Sequence, residues 1–462
     1  MTAGDVKGKR FSVIGGARSG IAVARLLRAH GASVFLSDMA PAEKMQHVEA
    51  ELKTAGIEYE FGGNSERALI ADVVVLSPGV PSQAPLVQKT VKNGKGVVSE
   101  VEVASWFCPG PIVAVTGTNG KTTTTTLTGR IFEDAKHPCI VAGNIGTAFS
   151  QLVSHLEPDG TAILEISSFQ LDHIQSFRPR VSVWLNITPD HLDRYDQSYE
   201  KYIASKCRVF ENQRDGDVLV YNADDNTERS YVEKLAHPSI EKLGFSTRRD
   251  ISEGAFLKHG IMKTRLRGIE SDVLPADQIS IRGVHNLYNA MAATLTARTM
   301  GISTASIRAT LKNFKGVEHR LEFVREVDGV TYVNDSKATN VDSVWYALQS
   351  FDKPIVLLLG GRDKGNDYSR LNDLVKDHVR AIVAIGESAD KVMNAFAPTV
   401  HVTVATDMSE AVHVATRLAK PGDVVLLSPA CASFDWFDNY EHRGRVFKQL
   451  VNGLNSMRLD AN

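Results

Sequence analysis

Eight short runs of β-branched and aliphatic residues recur along this chain, and they restrict its fold more than any other feature. They lie at residues 11–14, 73–76, 112–115, 162–166, 181–185, 355–359, 381–385 and 424–427. Each is nearly continuous in apolar character and bounded by Gly, Pro or Asp, the pattern of parallel strands covered on both faces. Helical stretches separate them, such as 21–30 and 341–349; in the latter, Val341, Val344 and Leu348 share one face. The chain is therefore α/β, with several doubly wound sheets. A length of 462 residues suits about three domains. Apolar residues at 43% and charged residues at 23% exclude a mostly disordered chain.

Two breaks divide the pattern. Pro109-Gly110-Pro111 precedes a strand that opens a phosphate-type motif, and Lys315-Gly316 closes a helical region. The expected units are 1–108, 109–315 and 316–462: a Rossmann-like N-terminal unit, a central P-loop-type parallel sheet and a C-terminal Rossmann-like unit. Residues 245–280 are polar and irregular, with weak alternation over 255–266, and predict a small antiparallel excursion. Lys+Arg 52 against Asp+Glu 54 leaves a net charge of −2, so no basic field advertises nucleic acid or an anionic membrane. Four cysteines without metal-ligand spacing fit a reducing cytoplasmic compartment. No apolar run is long enough to span a bilayer, and the first residues lack the apolar core of a signal peptide.

The strongest local motif begins at residue 112. The apolar strand runs into Thr116-Gly117-Thr118-Asn119-Gly120-Lys121-Thr122-Thr123, which opens a helix. In such a loop, backbone N–H groups cradle phosphates, Lys121 reaches the β/γ-phosphates and Thr122 ligates Mg²⁺. Val115 stands where the usual P-loop has its first glycine, so this is not the loop of an ordinary P-loop ATPase. Glu165 near the end of the 162–166 run, and Asp190-His191 beyond the 181–185 run, fall at carboxyl ends that converge on the same crevice. A carboxylate and a neutral imidazole there can hold Mg²⁺ against a triphosphate. Lys206 lies on the helical face of residues 199, 202, 203, 206 and 210, otherwise aromatic or aliphatic. An inward lysine needs a partner or a modification, unless it snorkels outward.

A second glycine turn, Gly15-Gly16-Ala17-Arg18-Ser19-Gly20, follows the first strand, with Asp38 after the second. The layout is that of a dinucleotide site, but Ala17 replaces the middle glycine. Three readings stand: NAD or FAD, a tight turn without ligand, or another nucleotide at the same helix end. Ser77-Pro78-Gly79 ends a strand and would lie at the same carboxyl edge.

Taken together, the motifs resemble the family of Mur ligases and folylpolyglutamate synthases. Gly117–Thr122 looks like its ATP loop, and His285-Asn286-Leu287-Tyr288-Asn289 like its H-N-x-x-N segment. His319-Arg320 and Asn334-Asp335-Ser336-Lys337-Ala338-Thr339-Asn340 look like the opening of its third domain. Residues 165–171 (EISSFQL), 360–365 (GGRDKG) and 428–435 (SPACASFD) resemble one branch, which adds D-glutamate to UDP-N-acetylmuramoyl-L-alanine in peptidoglycan precursor synthesis. These stretches separate it from the rival activities: other Mur ligases and folylpolyglutamate synthesis. The resemblance implies that the first unit holds the uridine nucleotide through Arg18, Ser19, Asp38 and Ser77, Pro78 and Gly79. It implies ATP at Gly117, Thr118, Asn119, Gly120, Lys121, Thr122 and Thr123, with Asn286, Arg320, Asp335 and Lys337. Two Mg²⁺ ions would be held by Thr122, Glu165, His191 and an N-carboxylated Lys206. Asn144 and His191 would face the muramoyl substrate, and Thr339, Lys364, Ser433 and Tyr440 the D-glutamate. Lys121, His191, Lys206 and Arg320 would be the catalytic set, in a cytoplasmic monomer whose partners are small molecules. Tyr440 stands where the family pattern has Phe, and Thr122 where Ser is also usual.

Overall fold

The computed structural model describes residues 1–363 and 365–454, so Lys364 lies outside the described residues. Contacts divide the chain into two compact units, Met1–Ile279 with Tyr288–Phe314, and Ser280–Leu287 with Lys315–Asn462. The first unit contains two sheets and the second contains one.

The N-terminal sheet is entirely parallel, in the order Glu58–Phe61, Ser33–Asp38, Arg10–Ile14, Val73–Leu76, Gly96–Ser99. Strand order reverses between Arg10–Ile14 and Val73–Leu76, the point at which open α/β sheets bind ligands. There the helix Arg18–Ala29 packs so tightly onto its turn that a Cβ at Gly20 would sit 1.8 Å from the Gly15 carbonyl oxygen.

The central sheet has nine strands. Its parallel part runs Cys139–Gly143, Thr161–Glu165, Ile112–Thr116, Val181–Trp184, Val218–Asn222, Glu241–Ser246 and Gly254–Lys258. Ile261–Leu266 and Ile269–Pro275 then add by antiparallel pairing. The antiparallel excursion expected over 245–280 is thus a meander that extends the main sheet. Every residue of Ile112–Thr116 is buried, as a strand flanked by neighbours and covered on both faces requires.

Pro109-Gly110-Pro111 joins the two sheets of this unit. Buried carboxylates cross the join: Glu102 accepts from the N–H groups of Gln175, Ser176 and Phe177 and from Trp106 Nε1, and Glu100 accepts from the Ser150 N–H.

The second unit carries a six-stranded sheet in the order Glu322–Val327, Val330–Asn334, Val424–Leu427, Ile355–Gly360, Val379–Ile385, His401–Val404. Only the first pairing is antiparallel. Val344, Leu348 and Phe396 cover one face, and Met408, Val412 and Phe447 the other. No helix among the described residues is long and apolar enough to cross a membrane.

Candidate active site

The P-loop is held open by glycine geometry and by side chains from neighbouring strands. Gly117 has φ +148° and Gly120 φ +82°, both in the region that favours glycine. A Cβ at Gly120 would lie 2.3 Å from Asn289 Oδ1, so the loop is seated on that amide. Asn289 also accepts from Thr124 Oγ1 at 3.2 Å. On the other side, Asn186 accepts the Asn119 N–H at 2.7 Å and donates to the Asn119 carbonyl at 2.9 Å. Thr118 Oγ1 donates to Thr188 O at 3.0 Å and lies 3.2 Å from the Tyr202 hydroxyl. Lys121 opens the helix Lys121–Asp134 and folds back on its own loop, donating to Gly117 O and Thr118 O at 2.9 and 2.8 Å.

Adjacent strands deliver the acidic partner. Thr161–Glu165 pairs directly with the P-loop strand, and Glu165 ends it as a buried carboxylate. Thr122 Oγ1 donates to Glu165 Oε2 at 2.7 Å, and Asn144 Nδ2 to Oε1 at 3.1 Å. A hydroxyl oxygen beside a carboxylate at a helix N-terminus is a donor pair that suits Mg²⁺. Thr123 is also buried, beyond Thr122 in the same helix.

Lys206 does not snorkel. It is 1% exposed on the helix Tyr199–Cys207, beside the buried Tyr202 and Ile203, and a 3-10 turn over Arg208–Phe210 completes the segment expected to be one helix. Its Nζ donates to Gly117 O at 2.8 Å, the carbonyl that Lys121 also uses, and lies 4.8 Å from the Tyr202 ring centroid. Burial, then the Lys121 charge, push the Lys206 pKa well below that of an ordinary lysine. His191 adopts φ +52°, its N–H donates to Asp190 Oδ1 at 2.9 Å, and its ring meets Phe169 edge-on with centroids 6.0 Å apart.

The N-terminal glycine turn is braced by residues expected there. Asp38 accepts the Gly16 N–H at 2.5 Å and the Ala40 N–H at 2.7 Å. Ser77 Oγ donates to Gly15 O at 2.7 Å, tying together the two loops at the switch point. Arg18 is exposed and reaches Gly146 O at 3.3 Å, in the turn that carries Asn144; Ser19 is half-buried. Pro78 and Gly79 follow Ser77 at the surface.

In the second unit, Asp335, Lys337 and Thr339 follow Val330–Asn334, and Ser433 lies in the loop after Val424–Leu427. Asp335 is buried and accepts from Ser428 Oγ at 2.8 Å. Burial lifts its pKa to about 6, against the pull of Arg320. Arg320 Nε is buried with no hydrogen-bond partner among the described residues. Burial, then the Arg320 charge, hold His285 down to about 3, so its imidazole is neutral. Asn286 Nδ2 donates to Arg282 O at 2.8 Å. Tyr440 starts the helix Tyr440–Asn452; its carbonyl accepts from Ser336 Oγ at 2.8 Å, and Lys337 Nζ lies 5.2 Å from its ring centroid.

Several braces were not singled out from sequence. Asn289 closes the H-N-x-x-N segment, but only Asn286 of that pair was given a role in the site. Asn186 and Tyr202 had only their nearness to His191 and Lys206. Arg443, 1% exposed, donates to the carbonyls of Ser336, Cys431 and Ala432 and to Ser336 Oγ. Its partners are mostly backbone atoms, which leave no trace in side-chain pattern.

A glycine loop closed by Lys-Thr, with a carboxylate one strand away, places the chain among α/β proteins that handle nucleoside triphosphates. Comparison narrows this. Residues 9–99 match the Mur ligase MurD-like N-terminal domain, 115–297 the Mur ligase middle domain and 319–431 the Mur ligase glutamate ligase domain. The chain belongs to the Mur ligase family. It is 52% identical to a UDP-N-acetylmuramoylalanine--D-glutamate ligase of Salinibacter ruber, over 98% of this chain and 100% of that one. It is 46% identical to the enzyme of that name from Chloroherpeton thalassium, with the same coverage. A pseudomurein peptide ligase type C from Methanothermus fervidus shares the fold at TM-score 0.60 and 19% identity, covering 96% of this chain and 99% of that one. A UDP-N-acetylmuramate-alanine ligase from Thermotoga maritima does so at TM-score 0.59 and 18% identity, with the same coverage.

Proposed function

We propose that this chain is an ATP-dependent ligase that joins D-glutamate to UDP-N-acetylmuramoyl-L-alanine in the making of peptidoglycan precursors. The observation that carries the reading is the full-length likeness to ligases of that name. The uridine nucleotide is assigned to residues 1–108, ATP to 109–315 and the incoming amino acid to 316–462, in a cytoplasmic monomer.

The residues fit the chemistry. The alanyl carboxylate attacks the γ-phosphorus of ATP, and the γ-phosphoryl group passes to it, giving an acyl phosphate and ADP. The D-glutamate amine then attacks the acyl carbon, and the tetrahedral adduct expels phosphate to leave the amide. Negative charge builds at both steps, so fixed cations supply most of the catalysis. Lys121 sits at the phosphate loop for this purpose, and the buried, unpartnered Nε of Arg320 suits a phosphate oxygen. We assign Asp335, Lys337 and Asn286 to the nucleotide, and Thr339, Ser433 and Tyr440 to D-glutamate.

Thr122 and Glu165 would hold one Mg²⁺, and His191 with a carbamate on Lys206 the second; bound there, the ions would neutralise phosphate charge. Two features support the carbamate. Lys206 is buried against a second lysine, which favours the neutral amine that adds to carbon dioxide. A carbamate also turns that position from cation to anion and gives oxygen ligands to a hard metal. Measuring ADP release with UDP-N-acetylmuramoyl-L-alanine and each of D-glutamate, L-glutamate, L-alanine and diaminopimelate tests the assignment. Release should require D-glutamate; release with another amino acid instead would move the chain to another branch.

A further inference from the structure

Arg194 belongs to no motif, yet it ties three candidate parts of the site together. It ends the short turn Leu192–Arg194 just after His191 and reaches the loop of the N-terminal sheet. Its Nη1 donates to Pro78 O at 3.1 Å and its Nη2 to Gly79 O at 3.4 Å. Its guanidinium carbon lies 4.6 Å from the centroid of Phe169, the ring that meets His191 edge-on. Gln83 Nε2 fastens the Arg194 carbonyl at 3.0 Å.

We propose that Arg194 is a positioning residue that sets the Ser77–Gly79 loop to receive the diphosphate of the uridine substrate, an inference that rests on assigning that loop to the uridine nucleotide. The peptide bonds here are trans, so each carbonyl and the following N–H point to opposite sides. Holding Pro78 O on Arg194 therefore turns the Gly79 N–H away from the arginine. The next N–H, that of Val80, is already taken by Ser77 O at 3.0 Å. The Gly79 amide is left as the loop's donor for an anion. The same two hydrogen bonds fix both carbonyls on the arginine side of the loop, so their negative ends face away from the anion. A planar fork stacked on an aromatic ring does both at once; a lysine ammonium offers neither the fork nor the stacking.

The test is calorimetric binding of UDP-N-acetylmuramoyl-L-alanine and of uridine to the full chain, wild type beside Arg194→Lys and Arg194→Met, with melting temperatures and steady-state constants. Both variants should bind the diphosphate compound about tenfold to a hundredfold more weakly, as expected for losing charge-assisted hydrogen bonds. Uridine affinity, the KM for ATP and the melting temperature should hold, and kcat at saturation should fall far less than kcat/KM. Unchanged affinity in both variants would overturn the inference, and so would equal losses for uridine and the diphosphate compound, which mark a general structural role. Wild type that binds no uridine compound would instead remove the assignment of the loop.

Discussion

Asp335 offers a test in which stability and activity move in opposite directions. Its buried carboxyl accepts from Ser428 Oγ at 2.8 Å and from the Leu321 N–H at 3.2 Å. Burial lifts its pKa from the usual 3.8 to about 6, net of the attraction of Arg320 and Arg443. A group whose folded pKa is raised contributes stability that is fully present below the unfolded value and lost as pH rises through the folded one. Between those limits the loss is about 3 kcal/mol, complete by pH 8. Asp335→Asn keeps the shape, accepts the Leu321 N–H with its amide oxygen and donates to the Ser428 hydroxyl, but it never ionises. The variant should gain about 3 kcal/mol at pH 8 and roughly half of that at pH 5, where only the unfolded carboxyl is charged.

Because the chain has two compact units, the readout should be local rather than a single global transition. Hydrogen exchange in Val330–Asn334 and Val424–Leu427, the strands that flank Asp335, reports the relevant opening. Ligase activity should fall on the order of a hundredfold, since the proposed nucleotide contact loses its charge. No gain in protection at pH 8, or an equal gain at both pH values, would show that the carboxyl carries no ionisation penalty and would refute the reasoning.

Lys121→Ala should keep the fold and lose turnover by about a hundredfold or more, because the γ-phosphate loses its nearest fixed charge; ADP release at the wild-type rate would remove the P-loop assignment. UDP-N-acetylmuramoyl-L-alanine should raise the melting temperature by mass action while NAD and FAD do not; the reverse pattern would return the N-terminal turn to a dinucleotide. Lys206→Ala should be nearly inactive and partly restored by short carboxylic acids, whereas Lys206→Arg should not be, because a guanidinium keeps the wrong charge and fills the space. Full activity of Lys206→Ala without additive, or no ¹³C label at Nζ after incubation with labelled bicarbonate and Mg²⁺, would take the carbamate out of the mechanism.

Eight of the parallel strands were legible because each is a contiguous apolar run, and burial on both faces leaves no polar alternation to blur it, whereas strands that are only partly buried, such as Glu58–Phe61 and His401–Val404, carry no such run. Val73–Leu76 and Val424–Leu427 fall where the runs do, and the others shift by one or two residues at their ends. The P-loop was legible for a similar reason: its glycines, lysine and threonine are consecutive. The ties across Pro109-Gly110-Pro111 were not legible. Glu100 and Glu102 are acids, yet both are buried and pair with residues 50 to 75 positions away. No local pattern announces that a carboxylate will be satisfied by backbone N–H groups so far along the chain.

Lys206 shows how far one helical face can carry an argument, and where structure must take over. The aromatic and aliphatic residues of its face required an inward lysine or an outward-bending one, and the 1% exposure decides for the first. What the face could not reveal is the company it keeps. Lys121 and Lys206 both hydrogen-bond to the Gly117 oxygen, so their Nζ atoms are at most 5.7 Å apart, the sum of the two contacts. At an effective dielectric constant of about 20, two ammonium charges at that distance repel by about 3 kcal/mol. The nearby carboxylates of Asp190 and Glu165 pull the other way, but burial and Lys121 prevail, and the pKa of Lys206 falls. Gly117 makes the juxtaposition possible: at φ +148°, with a Cβ that would lie 3.0 Å from Leu185 Cβ, no other residue could turn its carbonyl toward both lysines without strain. The proposed carbamate would convert that repulsion into an attraction, so the glycine that shapes the phosphate loop also prepares the lysine for modification.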